Sequence, residues 1–407
     1  MKHTPKETRT MDSGDQIKVE RRDSLSSLPS NSLPTCLGER KSSTPRFLAR
    51  TLIVSFLAIG WCSLKILVEA NDNDRILTGN ENRTVKKIET SDDRNDAIGY
   101  IPNYPEYNEE EALQHIFYSK AAFCTEHAIK SWSCGDMCER APIVGKDKIR
   151  YIPEGERFQV QGYVAQIPTE KEASSSIDHN NNANDIKCMI SFRGSLNVAN
   201  WYADFLTMLR PWPLNELSGA DWCRGCKAHY GFTEAYDELR EDIHMAIAEL
   251  NCTRLVLTGH SLGGAIATIA SFDLRAAMGY KVDATWTYGK PRIGNTEFVN
   301  NFISAAIEQG VSPPMWRLVH YHDPVPRAPP HLPGIHPVAH GALEIYYTKR
   351  DSSEYVICPQ HGATENQSDT CMGGWPLYFP VNMDHISYLN QSFAFSDFPD
   401  ECKGLES

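Results

Sequence analysis

The chain has 407 residues, of which 41% are apolar, 10% aromatic and 23% charged, as in a globular protein with a sizeable core. Its net charge of −12 is unevenly distributed, because residues 1–50 hold ten Lys and Arg against six Asp and Glu. The acidic remainder excludes nucleic acid as a partner and excludes electrostatic adhesion to anionic lipid. Any lipid would have to be bound through apolar contacts.

The first 105 residues predict three segments ahead of the folded domain. Residues 1–46 are rich in Ser, Pro and charge, which is typical of a disordered tail. Residues 47–69 surround an uncharged run at 51–64 and indicate either a cleaved signal peptide or a signal anchor. Basic residues precede this segment and acidic residues follow it, so the long C-terminal part should face the lumen or the exterior. Residues 70–105 predict a polar stalk or propeptide, and 106–407 the folded domain.

The cysteines favour an oxidising compartment. The chain has twelve, ten of them after residue 70, and their irregular spacing favours disulfides over a zinc module. The histidines between 320 and 340 predict no metal site, because alternating strand positions point to opposite faces. Four N-glycosylation sequons agree with a secretory chain. They begin at Asn82, Asn251, Asn366 and Asn390.

Helical and strand patterns alternate from residue 109 onward. The periodicity predicts helices at 109–123, 232–250, 262–278 and 295–309. Strands are predicted at 157–166, 186–192, 254–258, 284–288, 316–321 and 343–348. This order predicts an α/β fold with a mostly parallel central sheet and helices on both faces. The polar residues 170–185 predict a surface insertion.

Residues 259–263 read Gly-His-Ser-Leu-Gly, between an apolar strand at 254–258 and a helical run from 265. In a Gly-x-Ser-x-Gly turn, small residues let strand and helix pack closely while the serine adopts an unusual backbone conformation. The serine then lies at a helix N-terminus, where N–H groups face a developing oxyanion. The pattern predicts Ser261 as a nucleophile.

A nucleophilic serine needs a histidine base and a carboxylate that orients it, and on this architecture they follow in the order serine, acid, histidine. Asp323 ends a predicted strand just before Pro324, where such an acid is expected. Spacing favours His385 as the base, but leaves other histidines open. They are His320, His322, His331, His336, His340 and His361.

The backbone N–H groups of Leu262 and Ser195 are the candidate oxyanion donors, since Ser195 follows the predicted strand 186–192. Residues 196–209 are amphipathic at helical spacing, with Trp201, Phe205 and Leu209 on one face. An apolar helix beside an oxyanion residue predicts a mobile lid. Met208 and Trp212 add apolar surface that would be costly to expose without lipid.

Five motifs in this order resemble the fungal-type class 3 lipases, over roughly 109–402. They are Phe-Arg-Gly-Ser at 192–195 with Asn-Trp-Tyr-Ala-Asp at 200–204, Lys-Ala-His-Tyr-Gly-Phe at 227–232, the serine turn at 259–264, Tyr-Gly-Lys-Pro-Arg-Ile-Gly-Asn at 288–295, and His-Asp-Pro-Val-Pro at 322–326 with Asp-His-Ile-Ser-Tyr at 384–388. The resemblance implies an α/β-hydrolase fold with a helical lid, the triad Ser261, Asp323 and His385, and a lipase catalytic domain at 106–407.

The resemblance also implies three disulfides. They pair Cys124 with Cys402, Cys134 with Cys138, and Cys358 with Cys371. The tail at 1–46, the insertion at 170–185 and the cysteines Cys223 and Cys226 depart from the family pattern. Cys223 and Cys226 are expected to pair with each other, and Cys188 and Cys252 have no assigned partner.

Taken together, the residues and the resemblance imply a serine ester hydrolase without cofactor or metal, most simply a triacylglycerol lipase at lipid interfaces. A feruloyl-type or other soluble carboxylesterase, or a phospholipase, is the alternative on the same scaffold, and an acyltransferase differs only in the acceptor. A binding protein without turnover is disfavoured by an intact triad. The expected partners are a lipid or ester substrate, no nucleic acid, and a membrane if residues 47–69 are not cleaved. The expected location is the secretory pathway, as a single-pass membrane protein or a secreted one.

Overall fold

The computed structural model describes residues 86–87, 105–169, 185–195, 209–213, 221–329, 338–341, 343–358, 371–372 and 382–403. These residues lie in one compact unit, which runs from Ile76 to Ser407. The predicted tail, the hydrophobic segment 47–69, most of the insertion at 170–185 and residues 196–208 lie outside the described residues. No helix within the described ranges is long and apolar enough to cross a bilayer.

Thirteen strands occur in the described part of the chain. They are β1 (Lys86–Lys87), β2 (Ile149–Ile152), β3 (Gly162–Gln166), β4 (Lys187–Phe192), β5 (Leu209–Pro211), β6 (Lys227–His229), β7 (Arg254–His260), β8 (Lys281–Tyr288), β9 (Trp316–His320), β10 (Leu343–Tyr347), β11 (Glu354–Cys358), β12 (Ser387–Tyr388) and β13 (Gln391–Ser392). Nine of these strands form the main sheet, in the order β1-β11-β10-β9-β8-β7-β4-β3-β2.

The centre of the main sheet is parallel. Strands β4, β7, β8, β9 and β10 pair in parallel with their neighbours, while β2, β3 and β11 pair in antiparallel at the two sides. The carboxyl ends of the parallel strands therefore meet at one edge of the sheet, where ligands of such sheets bind. The predicted mostly parallel sheet is confirmed.

Seven α-helices are found among the described residues. They are α1 (Glu109–Ala121), α2 (Glu126–Ser131), α3 (Asp136–Glu139), α4 (Tyr230–Glu249), α5 (Leu262–Phe272), α6 (Thr296–Glu308) and α7 (Asn382–His385). Side chains cap the first turns of two long helices, where N–H groups have no intrahelical acceptor. The Asn108 side chain accepts from the N–H groups of Glu110 and Glu111, and the Asn295 side chain from that of Phe298.

The helices cover both faces of the sheet, and each face has its own apolar core. On one face α4, α5 and α6 pack against alternate strand residues such as Ile190 and Leu257. On the other face α1 and α2 pack against the intervening residues, such as Met189 and Val256. This alternation explains why the central strands read as continuous apolar runs, because both of their faces are buried.

Several element boundaries differ from the expectations. The strand predicted at 157–166 begins only at Gly162, because a turn precedes it in which the N–H of Gly155 donates to the carbonyl of Val160. The helix predicted at 262–278 changes at Asp273 into a π-helical turn. Leu209, which was assigned to an amphipathic helix, instead begins β5 and pairs with His229 of β6.

Five disulfides join cysteines within the described ranges, and they include the three implied by the resemblance. The pairs are Cys124–Cys402, Cys134–Cys138, Cys188–Cys252, Cys223–Cys226 and Cys358–Cys371. The pair Cys188–Cys252 joins the start of β4 to the turn between α4 and β7, two segments that are distant in sequence. Cys223 and Cys226 pair with each other, as expected.

Candidate active site

Ser261 lies at the sharp turn between β7 and α5. Its backbone has φ 57° and ψ −123°, a conformation that a residue with a side chain rarely adopts and that costs energy. Two glycines make the turn possible. A methyl group on Gly259 would lie 2.3 Å from the carbonyl carbon of Gly263, and one on Gly263 would lie 2.3 Å from the carbonyl oxygen of Phe192.

The Ser261 hydroxyl lies within hydrogen-bond distance of the His385 imidazole. Ser261 Oγ is 2.8 Å from His385 Nε2, and the other ring nitrogen, Nδ1, is 3.0 and 2.9 Å from the two carboxylate oxygens of Asp323. All three side chains are buried. With the proton on Nδ1, the ring donates to Asp323 and accepts from Ser261, which is the tautomer that a general base requires. The structure thus brings together three residues that are far apart in sequence.

Asp323 is surrounded by donors. It follows β9, and its Oδ1 accepts from the N–H of Val325 at 2.8 Å, while its Oδ2 accepts from the Tyr388 hydroxyl. Burial, and then the charge of Asp323, raise the pKa of Tyr388 well above its ordinary value, so the phenol remains a donor. Sequence reasoning assigned no role to Tyr388, because nothing in the local pattern indicates which group a tyrosine will reach.

A second histidine, His260, contacts the backbone of His385. His260 Nε2 lies 2.8 Å from the backbone oxygen of His385, and its ring stacks on Phe393 with ring centroids 4.0 Å apart. Burial, followed by the neighbouring His385, lowers the pKa of His260 well below its ordinary value. A neutral ring must carry its proton on Nε2 to donate to a carbonyl, so His260 holds the backbone of His385.

The other histidine candidates lie elsewhere. His340 is held between the Lys290 ammonium at 3.2 Å and the backbone oxygen of Pro326 at 2.6 Å. His320 contacts the backbone of the segment that carries His385, without contacting Ser261. His331, His336 and His361 lie outside the described residues.

The predicted oxyanion donors flank the serine turn. Leu262 is the first residue of α5, and the first N–H groups of a helix have no intrahelical acceptor. On the other side, a methyl group on Gly194 would lie 2.7 Å from the carbonyl oxygen of His260 and 3.4 Å from Ser261 Cβ. The backbone of the strand end therefore abuts the nucleophile, with Ser195 next in the chain. Their role as oxyanion donors remains a prediction.

The apolar residues predicted to form the lid separate into two groups. Trp201 and Phe205 lie outside the described residues. Trp212 is buried, with its ring against Trp222, Phe272 and Phe298, so the expectation that it exposes apolar surface was wrong. Its ring fills the core beneath α5 and α6, where burial needs no lipid.

Two of the predicted glycosylation sites can be located. Asn251 is exposed in the turn after α4, directly before the disulfide-bonded Cys252. Asn390 is partly buried in the turn between β12 and β13. Asn82 and Asn366 lie outside the described residues.

Comparison with known proteins agrees with this geometry. Residues 189–332 match the family model described as lipase (class 3). The chain is 33% identical over 226 residues to secreted mono- and diacylglycerol lipase 1 of Fusarium solani, covering 54% of this chain and 57% of that protein. It is 33% identical over 205 residues to secreted mono- and diacylglycerol lipase A of Penicillium cyclopium, covering 49% of this chain and 56% of that protein. The chain thus spans little more than half the length of the curated relatives that it matches.

A solved structure has the same fold. The Rhizomucor miehei lipase propeptide complex superimposes with a TM-score of 0.53 at 23% identity, over 70% of this chain and 81% of that chain. At this identity the similarity concerns the fold, and the predicted α/β-hydrolase fold class is confirmed.

Proposed function

Because residues 189–332 match the family model described as lipase (class 3), we propose that the protein is a serine carboxylic ester hydrolase that cleaves acylglycerols at a lipid interface. One observation carries the proposal. Ser261, at a strained turn before a helix, lies 2.8 Å from His385 Nε2, and the opposite nitrogen of that ring faces Asp323 at 2.9 Å.

The reaction is acyl transfer to water. His385 Nε2 accepts the hydroxyl proton of Ser261 while Oγ attacks the ester carbonyl, and Asp323 stabilises the resulting imidazolium. The N–H groups of Leu262 and Ser195 donate to the oxyanion, an interaction typically worth about 3 kcal/mol for each donor. The imidazolium then protonates the departing alcohol. Water enters by the same steps in reverse and releases the acid from Ser261.

The proposed substrate is an acylglycerol with long acyl chains. The relatives from Fusarium solani and Penicillium cyclopium are named as mono- and diacylglycerol lipases. The sequence between β4 and β5 contains Trp201 and Phe205, which are costly to expose to water and favour an apolar surface as partner. We propose that this segment is a lid. A phospholipase or a soluble, feruloyl-type esterase is the alternative.

The proposed location is the secretory pathway. Five disulfides among the described residues support an oxidising compartment, and secretion is part of the names of both Fusarium and Penicillium relatives. Residues 47–69 act as a signal peptide or a signal anchor, with residues 70–105 as stalk or propeptide ahead of the catalytic domain. Glycans on Asn82, Asn251, Asn366 and Asn390 are part of the same proposal.

The first experiment compares hydrolysis of a triacylglycerol emulsion with that of a soluble short-chain ester by the full chain. Ser261→Ala is the test variant, and Ser131→Ala is the control because Ser131 is a half-buried serine at the end of α2, outside the proposed triad. We expect activity that rises on the emulsion, is lost in Ser261→Ala and is retained in Ser131→Ala.

The outcomes separate the candidate functions. Activity on the soluble ester alone would favour the esterase alternative, and activity on phospholipid vesicles in place of the emulsion would favour a phospholipase. Turnover that survives in Ser261→Ala would overturn the mechanism on any substrate.

A further inference from the structure

His320, the last residue of β9, is fully buried, and the mechanism above does not use it. Both nitrogens of its ring face backbone oxygens. Nδ1 lies 2.9 Å from the carbonyl oxygen of Asp384, and Nε2 lies 2.9 Å from that of Arg350. One ring therefore bridges helix α7, which ends in His385, and the turn that follows β10.

This arrangement determines the protonation of the ring. A carbonyl oxygen only accepts hydrogen bonds, so both nitrogens of His320 must carry a proton to make both bonds. A neutral ring would place a nitrogen lone pair against the oxygen of one of the two carbonyls, and that pair would make no hydrogen bond. The geometry consequently favours the doubly protonated, cationic form of His320.

A carboxylate beside the ring compensates for this charge. The side chain of Asp384 is buried, and its Oδ1 lies 2.9 Å from Arg350 Nε. Burial raises the pKa of Asp384, while Arg350 and then His320 oppose that rise. The other titratable groups around the cluster are His322, whose pKa burial lowers, and Tyr388, whose hydroxyl accepts from the His320 N–H at 3.4 Å. The Asp384 carboxylate thus interacts electrostatically with a cation on His320.

The hydrogen bonds of His320 reach the chain next to both His385 and Asp323. The carbonyl held by His320 Nδ1 belongs to the peptide bond directly before His385. The His320 carbonyl in turn accepts from the N–H of Asp323 at 2.8 Å. Any residue at position 320 would keep this backbone bond, whereas the bond to the backbone of α7 depends on the side chain.

We propose that His320, held as an imidazolium between two backbone carbonyls, is a positioning residue that fixes the helix bearing His385 relative to Asp323. The proposal rests on the proposed function of the triad. It predicts that loss of the bond from His320 Nδ1 to the Asp384 carbonyl loosens α7 and slows ester hydrolysis.

Two substitutions test separately the two hydrogen bonds that the His320 ring makes to the carbonyls of Asp384 and Arg350. The amide nitrogen of His320→Asn can replace Nδ1 and keep the bond to the Asp384 carbonyl, whereas that of His320→Gln can replace Nε2 and keep the bond to Arg350. We expect kcat on a soluble ester to fall about tenfold further in the Gln variant than in the Asn variant, with KM little changed. The reason is that the Gln variant lacks the hydrogen bond to the α7 backbone that the Asn variant keeps.

The control is His127→Asn, an exposed histidine on α2, which should keep the wild-type kcat and KM. A merely structural His320 would lower the melting temperature of both variants while kcat per titrated active site, measured by an organophosphonate burst, stayed equal. That result would overturn the proposal.

A measurement without substitution at 320 keeps the test decisive if the variants do not fold. Nitrogen-15 NMR of histidine-labelled protein carrying Ser261→Ala should show His320 with both nitrogens protonated at neutral pH. A single-proton tautomer would contradict the proposal whatever the activity is. Failure of the proposed function is distinct, since the wild-type chain would then hydrolyse no ester while the NMR result could still hold.

Discussion

At the scale of single residues, the proposed reactivity of Ser261 depends on how Asp323 is held. The carboxylate accepts from the N–H of Val325, from the hydroxyl of Tyr388 and from the ring of His385. A buried carboxylate with several donors has a fixed orientation, so the imidazole that it orients is fixed as well. Tyr388 is the donor among these that a conservative substitution can remove.

The first prediction is that Tyr388→Phe lowers kcat about tenfold on a soluble ester and leaves KM nearly unchanged. The substitution removes one charge-assisted hydrogen bond to Asp323, a loss of about 1.5–3 kcal/mol, part of which relaxation of the carboxylate recovers. Steady-state kinetics measures the effect. Tyr107→Phe is the matched control, because the Tyr107 hydroxyl is buried and bonded to Tyr347, on another part of the sheet. Equal losses in both variants would show that the effect is general destabilisation.

At the scale of secondary-structure elements, the site depends on how closely α5 approaches the strands. Gly263 lies in the first turn of α5, and its missing side chain lets the helix contact the end of β4 at the Phe192 carbonyl. The same contact aligns the strand end that leads to Ser195 with the helix start at Leu262. One close approach therefore shapes both sides of the proposed oxyanion site.

The second prediction concerns this contact. Gly263→Ala should destabilise the fold by about 3 kcal/mol and reduce kcat strongly, because its methyl group meets backbone atoms that cannot move independently. In the control Gly231→Ala, near the start of α4, the nearest atom is 3.5 Å away, so stability should stay equal or rise by up to about 1 kcal/mol. Urea unfolding and ester hydrolysis check both values. A Gly263→Ala protein as stable as the control would contradict the packing argument.

At the scale of the whole molecule, disulfides join parts of the chain that are distant in sequence. Cys124 follows α1 and pairs with Cys402 near the C-terminus, across a sequence separation of 278 residues. Nearby, the Thr125 hydroxyl donates to the carbonyl of Glu401 at 2.8 Å. The bond restricts the unfolded chain over most of the domain, whereas Cys223–Cys226 spans a separation of only 3 residues.

The third prediction compares these two bonds. In the chain-entropy description, replacing both Cys124 and Cys402 by Ala should lower the free energy of unfolding by about 5 kcal/mol. Replacing Cys223 and Cys226 in the same way should lower the free energy of unfolding by about 2 kcal/mol, because the loop closed by that disulfide is short. Denaturant unfolding of the two double variants gives the comparison. A larger loss for the short loop would mean that native-state contacts, not the unfolded chain, determine the stabilisation.

The sequence by itself determined the features that depend on neighbours along the chain. The strand, turn and helix around Ser261 could be predicted because two glycines and flanking apolar runs leave few other conformations. The alternation of helices and buried strands predicted the parallel sheet for the same reason. The strand-end position predicted Asp323 as the acid, although spacing alone left seven histidines to choose from as its partner.

Tertiary structure decided what depends on distant segments. His385 meets Asp323 across 62 residues, and only the sheet order brings α7 to the end of β9. The pairing of Cys188 with Cys252, the burial of Trp212 and the bonds of Tyr388 and His320 arise in the same way. Local periodicity carries no information about these contacts, because a side chain's partner is selected by packing of the completed sheet and helices.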